Sequence, residues 1–347
     1  MDKSVILAVA GSGKTSRLVA SLDEHQRFLV VTYTESNHDD IRRKIIQRFG
    51  YFPANITLYT YFGFLHGFCY RPFLRSKKNT KGMTFKLPPP FPRYKLTDDR
   101  HYMSSSRRLY HNRIAKFIEQ SNLLNAVITR MEKYFDAFFV DEVQDFAGHD
   151  FNFLLAISAA KLNAKFVGDF FQHTFDTSRD GNVNVGLHDD YTTYLAKFKA
   201  AKLNVDTDSL KKSHRCSKNV CDFITKKIGI SIEAHEDRES IVRYEDDPET
   251  VLSIYEDPRI VKLFYQEHYK YACYSQNWGA SKGEDRYQDI CVVLNLINVK
   301  AWHNGSFRDI SLKTRNKLYV ACSRARGNLT FVPESILRAY KRPQASP

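Results

Sequence analysis

The sequence predicts an α/β protein built on parallel sheets, and three observations favour this fold class. Short apolar stretches alternate with helical stretches, and two of the apolar stretches end directly at a glycine-rich turn or at acidic residues. The 347 residues are enough for about two domains. Strands that alternate with helices usually form parallel sheets whose two faces are covered by the helices.

The first part of the chain begins with a strand, a glycine-rich turn and a helix. Residues 4–9 are apolar and partly β-branched, the turn AGSGKT follows, and a helix is expected in 16–22. Further strands are predicted at 27–33, 56–61, 137–140 and 165–167, and further helices at 37–49, 109–124 and 150–162. A basic run, a PPPFP segment and a serine triplet within 71–108 predict a loop-rich insertion.

A second unit is expected from about residue 205, after a loop predicted by the sequence GNVNVG. Its predicted helices lie at 218–227, at 258–269 and from about 310, and its strands at 290–296 and 329–332. We therefore expect a first domain at 1–204, with a basic insertion at about 70–130, and a second domain at 205–347.

The charge of the chain is strongly positive and unevenly spread. Lys and Arg number 52 and Asp and Glu number 39, which gives a formal net charge of +13. An excess of this size indicates a polyanionic partner, nucleic acid before a membrane surface. Residues 71–116 hold thirteen basic residues against Asp98 and Asp99, whereas 233–257 hold ten acidic residues against two arginines. The basic segment is the expected binding surface, and the acidic one a possible face for a protein partner.

Cysteine usage and hydropathy indicate a cytoplasmic protein. The six cysteines are scattered and form no CxxC pair, which is typical of reduced thiols and argues against a zinc–thiolate site. No run of about 18 apolar residues occurs, so we expect no transmembrane helix. The start MDKSVILAVAGSGK is typical of a buried strand and a turn, not of a signal peptide.

The octet AVAGSGKT at 8–15 fits the phosphate-binding loop G-x-x-x-x-G-K-[ST], except that Ala8 replaces the first glycine. Gly11 and Gly13 permit a tight turn whose N–H groups point at phosphate oxygens. Lys14 would reach the β- and γ-phosphates, and Thr15 would ligate Mg²⁺. The expected nucleotide-binding residues of this loop are Ala10, Gly11, Ser12, Gly13, Lys14, Thr15 and Ser16.

The segment FFVDE at 138–142 is the second part expected of an NTP-hydrolysing site. It is an apolar strand that ends in two acidic residues, Asp141 and Glu142. Asp141 would hold Mg²⁺ through water, and Glu142 would orient and deprotonate the attacking water.

Seven further segments resemble the sequence boxes of superfamily 1 helicases of the UvrD/Rep type. The sequence DEVQD at 141–145 resembles the DExQD box of that family. The others follow in the family's order: VTYT at 31–34, TYFG at 60–63, VGDFFQ at 167–172, SHR at 213–215, SKGE at 281–284 and YVACSRAR at 319–326. The resemblance implies two RecA-like P-loop NTPase domains with parallel sheets and with ATP in the cleft between them.

The same resemblance implies roles for individual residues. Gln172 and Arg215 would contact the γ-phosphate, Arg324 would be an arginine finger, and Gly283 and Glu284 would contact the nucleotide. The residues expected to contact single-stranded DNA are Thr32, Tyr33, Thr34, Thr60, Tyr61 and Phe62. Of the aromatic residues near this box, Tyr61 and Phe62 are the ones expected to stack on bases, and the others are expected to pack in the core.

The sequence departs from the family pattern at several places. The family usually has an adenine-reading glutamine segment before the phosphate loop, and only seven residues precede Ala8 here, so the resemblance does not imply a preference for adenine. The sequence FDTSR at 175–179 stands where the family has W-R-G, and Glu284 lies one position early in the K-G-x-E box. The spacings of the boxes leave no room for a large inserted subdomain in the second domain. A minimal two-domain motor is therefore expected.

Three functions are compatible with these features. The first is an ATP-dependent translocase or helicase on single-stranded DNA, with RNA left open. The second is an ATP- and nucleic-acid-binding switch or sensor subunit of a larger complex, for example with a nuclease in DNA repair or phage defence, that does not unwind duplexes. The third, a nucleotide or small-molecule kinase, leaves the arginines of the second domain unexplained.

The basic segment generates a prediction for strand binding. Replacing Lys77, Lys78 and Lys81 by alanine should weaken DNA binding and flatten its salt dependence, because each lysine that neutralises a phosphate releases about one counterion. Binding titrations at several salt concentrations measure the slope. An unchanged slope would make residues 71–116 a protein-contact surface or a solvated loop.

Overall fold

The computed structural model describes residues 1–174 and 180–342. Its chain divides into two units. The first comprises Met1–Leu7, Lys14–Gly168 and the described part of Phe175–Asp206, and the second comprises Ala8–Gly13, Asp169–Thr174 and the described chain from Thr207 onward. Within the described residues, no helix combines the length and the apolar character needed to cross a membrane.

A six-stranded sheet forms the centre of the first unit. Its strands are β1 (Lys3–Leu7), β2 (Phe28–Thr32), β3 (Ile56–Thr60), β6 (Ala137–Val140), β7 (Asn163–Gly168) and β8 (Asn204–Asp206), and a separate pair is formed by β4 (Met83–Thr84) and β5 (Leu109–Tyr110). The strand order is β3-β2-β6-β7-β1-β8, and every pairing is parallel. All residues of β2 and β6 are buried, as expected for strands covered on both faces.

Helices connect these strands. They are α1 (Lys14–Ala20), α2 (Glu35–Phe49), α3 (Tyr61–Gly63), α4 (Arg71–Lys78), α5 (Ile114–Gln120), α6 (Leu124–Tyr134), α7 (Gly148–Ile157) and α8 (Tyr191–Ala200), with a π-helical stretch at Phe64–Tyr70 between α3 and α4. Because the strands are parallel, the segments that follow β1 and β6 leave the sheet at the same edge.

The insertion is more ordered at its two ends than the sequence predicts. Residues 71–78 form the helix α4, which continues directly from the π-helical stretch. The helix predicted at 109–124 is shorter in the structure. Leu109 and Tyr110 form a strand that pairs with Met83 and Thr84, and the helix α5 begins only at Ile114. Between β4 and β5 the proline-rich part is irregular apart from one short 3₁₀ turn, as predicted.

The second unit is built on a five-stranded parallel sheet with the order β11-β15-β14-β12-β13. Its strands are β11 (Val242–Tyr244), β12 (Val261–Phe264), β13 (Ser275–Asn277), β14 (Ile290–Leu294) and β15 (Leu329–Pro333), and β9 (Lys212–Ser213) and β10 (Glu233–Ala234) form a second, parallel pair. Its helices are α9 (Lys218–Phe223), followed by a π-helical stretch at Ile224–Ile228, α10 (Pro248–Glu256), α11 (Leu296–His303), α12 (Leu312–Cys322) and α13 (Glu334–Leu337). The predicted fold class, α/β with parallel sheets, is confirmed by this strand pairing.

One predicted helix, at 258–269, is wrong. The segment contains β12, an inner strand that lies between β13 and β14 and is buried along its whole length. Lys262 is buried within it, and its Nζ donates to the carbonyl oxygens of Asp257 (2.6 Å) and Ile260 (2.9 Å). The helix of this region lies earlier in the acidic segment, where Asp247 caps the backbone N–H of Thr250 at 2.9 Å ahead of α10.

Candidate functional site

The two acidic residues after β6 meet the first turn of α1. The Nζ of Lys14 lies 3.5 Å from Oε1 of Glu142, and both side chains are about nine-tenths buried. Thr15 donates its hydroxyl hydrogen bond to Oδ2 of Asp141 at 2.8 Å. Asp141 extends the pairing of β6 with β2, because its backbone N–H donates to the carbonyl oxygen of Val31 at 2.9 Å. The structure therefore brings together these four predicted site residues from two distant segments.

Burial makes the Asp141 carboxyl unusual. Its side chain is fully enclosed, and desolvation, followed by the neighbouring charge of Glu142, raises its pKa to about 7. Lys14 and the hydroxyl of Thr15 offset part of this effect. A divalent cation would remove the cost of this buried charge, and a hydroxyl with a carboxylate is a donor set that suits Mg²⁺. The pair Thr15 and Asp141 thus fits the predicted metal-binding role.

Glu142 is held in an uncommon backbone conformation. Its φ is +57°, in the left-handed region that a residue other than glycine rarely adopts. Gln144, which is fully buried, donates from its side-chain amide to Oε2 of Glu142. Gly168 makes room for this amide, since a side chain there would collide with Gln144 and Val143. The sequence analysis assigned no role to Gln144, although its position in DEVQD, two residues after Glu142, indicated that it belongs to the site.

The phosphate-binding loop packs closely on the SHR segment. Gly11 has a φ of +71°, and a Cβ at this position would lie 2.6 Å from Oγ of Ser213 and 2.8 Å from Cβ of Arg215. The backbone N–H of His214 donates to the carbonyl oxygen of Gly11 at 2.9 Å. Glycine is therefore required at position 11 both by its backbone conformation and by this close approach.

A buried tyrosine joins the phosphate-binding loop to the VGDFFQ segment. The hydroxyl of Tyr319 accepts from the backbone N–H of Ala10 at 2.8 Å and donates to Oδ2 of Asp169 at 2.9 Å. Asp169 also accepts from the side-chain amide of Gln172 at 2.9 Å. Complete burial raises the pKa of Tyr319 well above its ordinary value, so the hydroxyl keeps its proton. Neither Tyr319 nor Asp169 was predicted as a site residue, although both lie within recognised boxes.

Of the two predicted arginines, Arg324 lies beside Gln172 and Arg215 lies beside Ser323. Arg324 is almost fully buried, and its guanidinium lies 3.4 Å from Oε1 of Gln172 and 3.3 Å from the carbonyl oxygen of Glu284. Arg215 donates to the carbonyl oxygen of Ser323 at 3.0 Å. The structure thus groups three of the predicted catalytic residues within the second unit.

The acid of this group is Asp285. It forms an ion pair with Arg215 and lies 3.9 Å from the guanidinium of Arg324. Glu284, the acidic residue predicted here, pairs instead with Arg286 at 3.2 Å. The family's K-G-x-E spacing, counted from Lys282, places the acid at position 285. The spacing therefore indicated Asp285, but the prediction chose Glu284 because it is the glutamate. Gly283 has a φ of +86° and forms the turn before these acids.

The residues predicted to contact a nucleic-acid strand are mostly buried. Tyr61 and Phe62 are 1% and 8% exposed, and Thr32 and Tyr33 are equally enclosed. The rings of Tyr33 and Tyr61 are stacked at 5.6 Å. The expectation that Tyr61 and Phe62 offer their rings to bases is therefore wrong for this structure, because both rings pack against protein.

Two threonines of the same boxes act as helix caps. Thr34 accepts from the backbone N–H of Asn37 at 3.2 Å ahead of α2, and Thr60 accepts from that of Gly63 at 3.3 Å ahead of α3. These caps fix where the helices begin after β2 and β3. Both threonines are partly exposed, which keeps them available for the predicted strand contact.

The three predicted lysines differ in their surroundings. Lys77 and Lys81 are exposed. Lys78 is partly buried, with its Nζ 2.7 Å from Oδ1 of Asp99. The carboxylate of Asp99 partly neutralises the charge of Lys78, so we expect Lys77 and Lys81 to contribute more to strand binding. The predicted loss of the W-R-G tryptophan concerns residues 175–179, which lie outside the described residues.

Comparison with models of known protein families gives no match, and comparison with curated protein sequences gives none. Among solved structures, the chain is similar to the arterivirus nonstructural protein 10 helicase in complex with DNA, with 15% identity and a TM-score of 0.48 over 96% of this chain and 63% of that one. A crystal structure of the arterivirus nonstructural protein 10 helicase gives 16% identity, a TM-score of 0.48 and coverages of 96% and 62%. The PRRSV helicase gives 14% identity, a TM-score of 0.46 and coverages of 99% and 55%. The chain spans between 55% and 63% of the length of these three proteins.

The raised pKa of Asp141 predicts a pH-dependent effect of Asp141→Asn. Because the folded pKa of about 7 exceeds the ordinary value of 3.8, the folded protein loses stability as the pH rises through that interval. The variant carries no such charge, so it should be more stable than the parent by about 1–3 kcal/mol near pH 8 without divalent metal. Thermal unfolding across this pH range measures the difference. An advantage that does not grow with pH would contradict the assignment.

The hydrogen bonds of Tyr319 predict a local effect of Tyr319→Phe. The change leaves the buried N–H of Ala10 and the carboxylate of Asp169 each without one partner, which should cost about 1–3 kcal/mol of unfolding free energy. Amide hydrogen exchange at residues 8–13 should become faster. Tyr287→Phe is the matched control, since this buried tyrosine of the same unit donates no hydrogen bond within the described chain. Equal effects of the two changes would refute the role of Tyr319.

Proposed function

We propose that this chain is an ATP-hydrolysing motor that moves along single-stranded nucleic acid, with single-stranded DNA as the first candidate strand. The observation that carries the proposal is the meeting of Lys14 and Thr15 with Asp141 and Glu142 at the edge of a parallel sheet. A lysine and a hydroxyl at a helix start, opposite two buried acids, form the arrangement that phosphoryl transfer to water requires.

Each group has a defined chemical task in this proposal. The backbone N–H groups at Gly11 and Gly13 and the ammonium of Lys14 bind the phosphates. Thr15 and Asp141 would hold Mg²⁺, which when bound neutralises charge on the β- and γ-phosphate oxygens. Glu142 orients the attacking water and takes its proton as the water oxygen bonds to the γ-phosphorus and ADP leaves. Its left-handed backbone and the amide of Gln144 fix the direction of this carboxylate.

The arginine pair supplies the positive charge that the transferring phosphoryl group needs. Arg215 and Arg324 are buried, and desolvated guanidinium groups stabilise developing charge more strongly than exposed ones. Gln172 lies beside Arg324 and is oriented by Asp169, so its position depends on the hydrogen bonds of Tyr319. Coupling between nucleotide chemistry and strand binding of the UvrD/Rep type is part of the proposal, and so is the assignment of ATP over other nucleoside triphosphates.

A second candidate, an ATP- and strand-binding switch that does not unwind duplexes, is favoured by the content of the second unit. The chain from Arg215 to Ser281 is occupied by α9, the sheet strands β11, β12 and β13 and the helix α10. All of these belong to the unit's own core, so no additional subdomain is present there to separate two strands. A protein partner such as a nuclease or effector would then use the conformational signal.

The proposal predicts the effect of Lys14→Ala on turnover. Removing the ammonium should lower the ATP hydrolysis rate by about a hundredfold or more, because its charge stabilises the transferring phosphoryl group. Strand binding should persist, since the basic segment is unchanged. Steady-state hydrolysis with and without single-stranded DNA measures the effect, and Arg17→Ala, an exposed cation on the same helix, is the control.

The same assay separates the two candidate functions when a tailed duplex is added. Strand-stimulated hydrolysis together with unwinding supports a helicase, and stimulation without unwinding supports a translocase or a switch. Strand-stimulated hydrolysis that survives Lys14→Ala would show that the assigned site is wrong.

A further inference from the structure

We propose that Phe85 is a base-stacking residue for single-stranded nucleic acid. The inference rests on the proposed function, because it specifies how that function's strand is held. It replaces the expectation that Tyr61 and Phe62 stack on bases, since both of those rings are buried. Phe85 is 63% exposed and lies directly against Phe62, with ring centroids 5.4 Å apart.

Strand pairing places Phe85 at this position. The strands β4 and β5 are parallel, with Met83 opposite Leu109 and Thr84 opposite Tyr110. The next residues of the two strands, Phe85 and His111, therefore emerge side by side, and their ring centroids are 5.2 Å apart. The hydroxyl of Thr84 accepts from the backbone N–H of Lys86 at 3.2 Å, which fixes the turn on the far side of Phe85.

Two buried rings support Phe85 from behind. His111 and Phe62 are 7% and 8% exposed, and their centroids lie 5.3 Å apart. Phe62 in turn packs against Tyr33 at 5.5 Å and against Tyr61 at 5.4 Å. These rings form a continuous aromatic cluster in which only Phe85 has most of its surface in solvent. Contacts with these rings already restrict the Phe85 side chain. Stacking of a base on Phe85 therefore costs little side-chain conformational entropy.

The charges beside Phe85 fit a polyanion. Lys81 and Lys86 are exposed and make no ion pair within the described residues. Arg108 is exposed and lies next to Gly82, with its guanidinium 3.5 Å from where a Cβ on that glycine would be. A solvent-facing ring flanked by free cations is the arrangement by which proteins bind single strands, with stacking on the ring and phosphates on the cations.

Several other basic residues of the insertion form ion pairs with acidic residues of the protein, so they are less available to bind the phosphates of a strand. Arg100 pairs with Asp98 at 2.7 Å, and Arg113 and Lys116 pair with Asp180 at 2.9 and 3.4 Å. The cations beside Phe85, which are Lys81, Lys86 and Arg108, make no such ion pair within the described residues. An apolar peptide is a poorer match for this surface, because burying Phe85 under it would leave Lys81 and Lys86 desolvated without a counter-charge.

The experiment compares two strands that differ only in their bases. Fluorescence anisotropy measures the binding of a labelled oligodeoxythymidylate and of an abasic strand of equal length, without nucleotide. Phe85→Ala should weaken binding of the oligodeoxythymidylate about tenfold and leave binding of the abasic strand unchanged, because the abasic strand keeps every phosphate and loses every π-face. Leu87→Ala, a neighbouring exposed apolar residue, is the matched control and should change neither affinity.

A second variant provides a direct signal. Phe85→Trp should retain the affinity for oligodeoxythymidylate, and its added fluorescence should be quenched by that strand but not by the abasic one. Equal losses on both strands for Phe85→Ala, or no loss on either, would overturn the proposal. The same titration with oligouridylate assigns the site to DNA, to RNA or to both, according to which strands lose affinity.

Failure of this inference can be told apart from failure of the proposed function. If the parent protein binds no strand and its ATP hydrolysis is not stimulated, the strand-dependent function fails and the inference fails with it. If strand binding and stimulation are present but Phe85→Ala binds both strands like the parent, only the stacking role of Phe85 is refuted.

Discussion

The buried carboxylate of Asp141 is the constraint on which the rest of the candidate site depends. An enclosed acid is costly unless polar partners and positive charge surround it. The partners here are the hydroxyl of Thr15 and the ammonium of Lys14, both on the first turn of α1. They can reach it only if β1 and β6 run in the same direction with β7 between them, so that α1 begins at the edge where β6 ends. The parallel topology is thus a requirement of the chemistry.

A second constraint acts on the phosphate-binding loop, and it comes from the far end of the chain. The hydroxyl of Tyr319 holds the N–H of Ala10 and the carboxylate of Asp169, which are separated from it by 309 and 150 residues. The loop is therefore positioned by tertiary hydrogen bonds as well as by its own glycines. Any displacement of α12 would alter the loop and, through Asp169, the side chain of Gln172.

The elements that the sequence predicted well are those with a strong local signal. The apolar strand at 137–140 and the turn at Gly11 and Gly13 follow from residue types alone, and the strand predicted at 290–296 is found at Ile290–Leu294. The failures have non-local causes. The strand β12 was read as a helix because its place between β13 and β14 is decided by distant pairing. Asp285 was missed because the glutamate that matches the family box stands one position earlier, and the ion pair of Asp285 with Arg215, seventy positions earlier, is visible only in the structure.

Tyr61 and Phe62 belong to a sequence box that resembles a strand-contact segment, yet both rings are buried. A sequence box can therefore lie close to an exposed surface while a residue from another segment forms that surface. The box lies next to β3 and supplies the inner layer of an aromatic cluster. The outer layer comes from the insertion, whose own proline-rich sequence gives no sign of where Phe85 will settle. Only the pairing of β4 with β5 brings the two layers together. The sequence also overstates the positive charge that the insertion offers to a partner. Ion pairs with Asp98, Asp99 and Asp180 neutralise part of this charge. The surface left for a polyanion is therefore smaller, and better defined, than the net charge of the chain suggests.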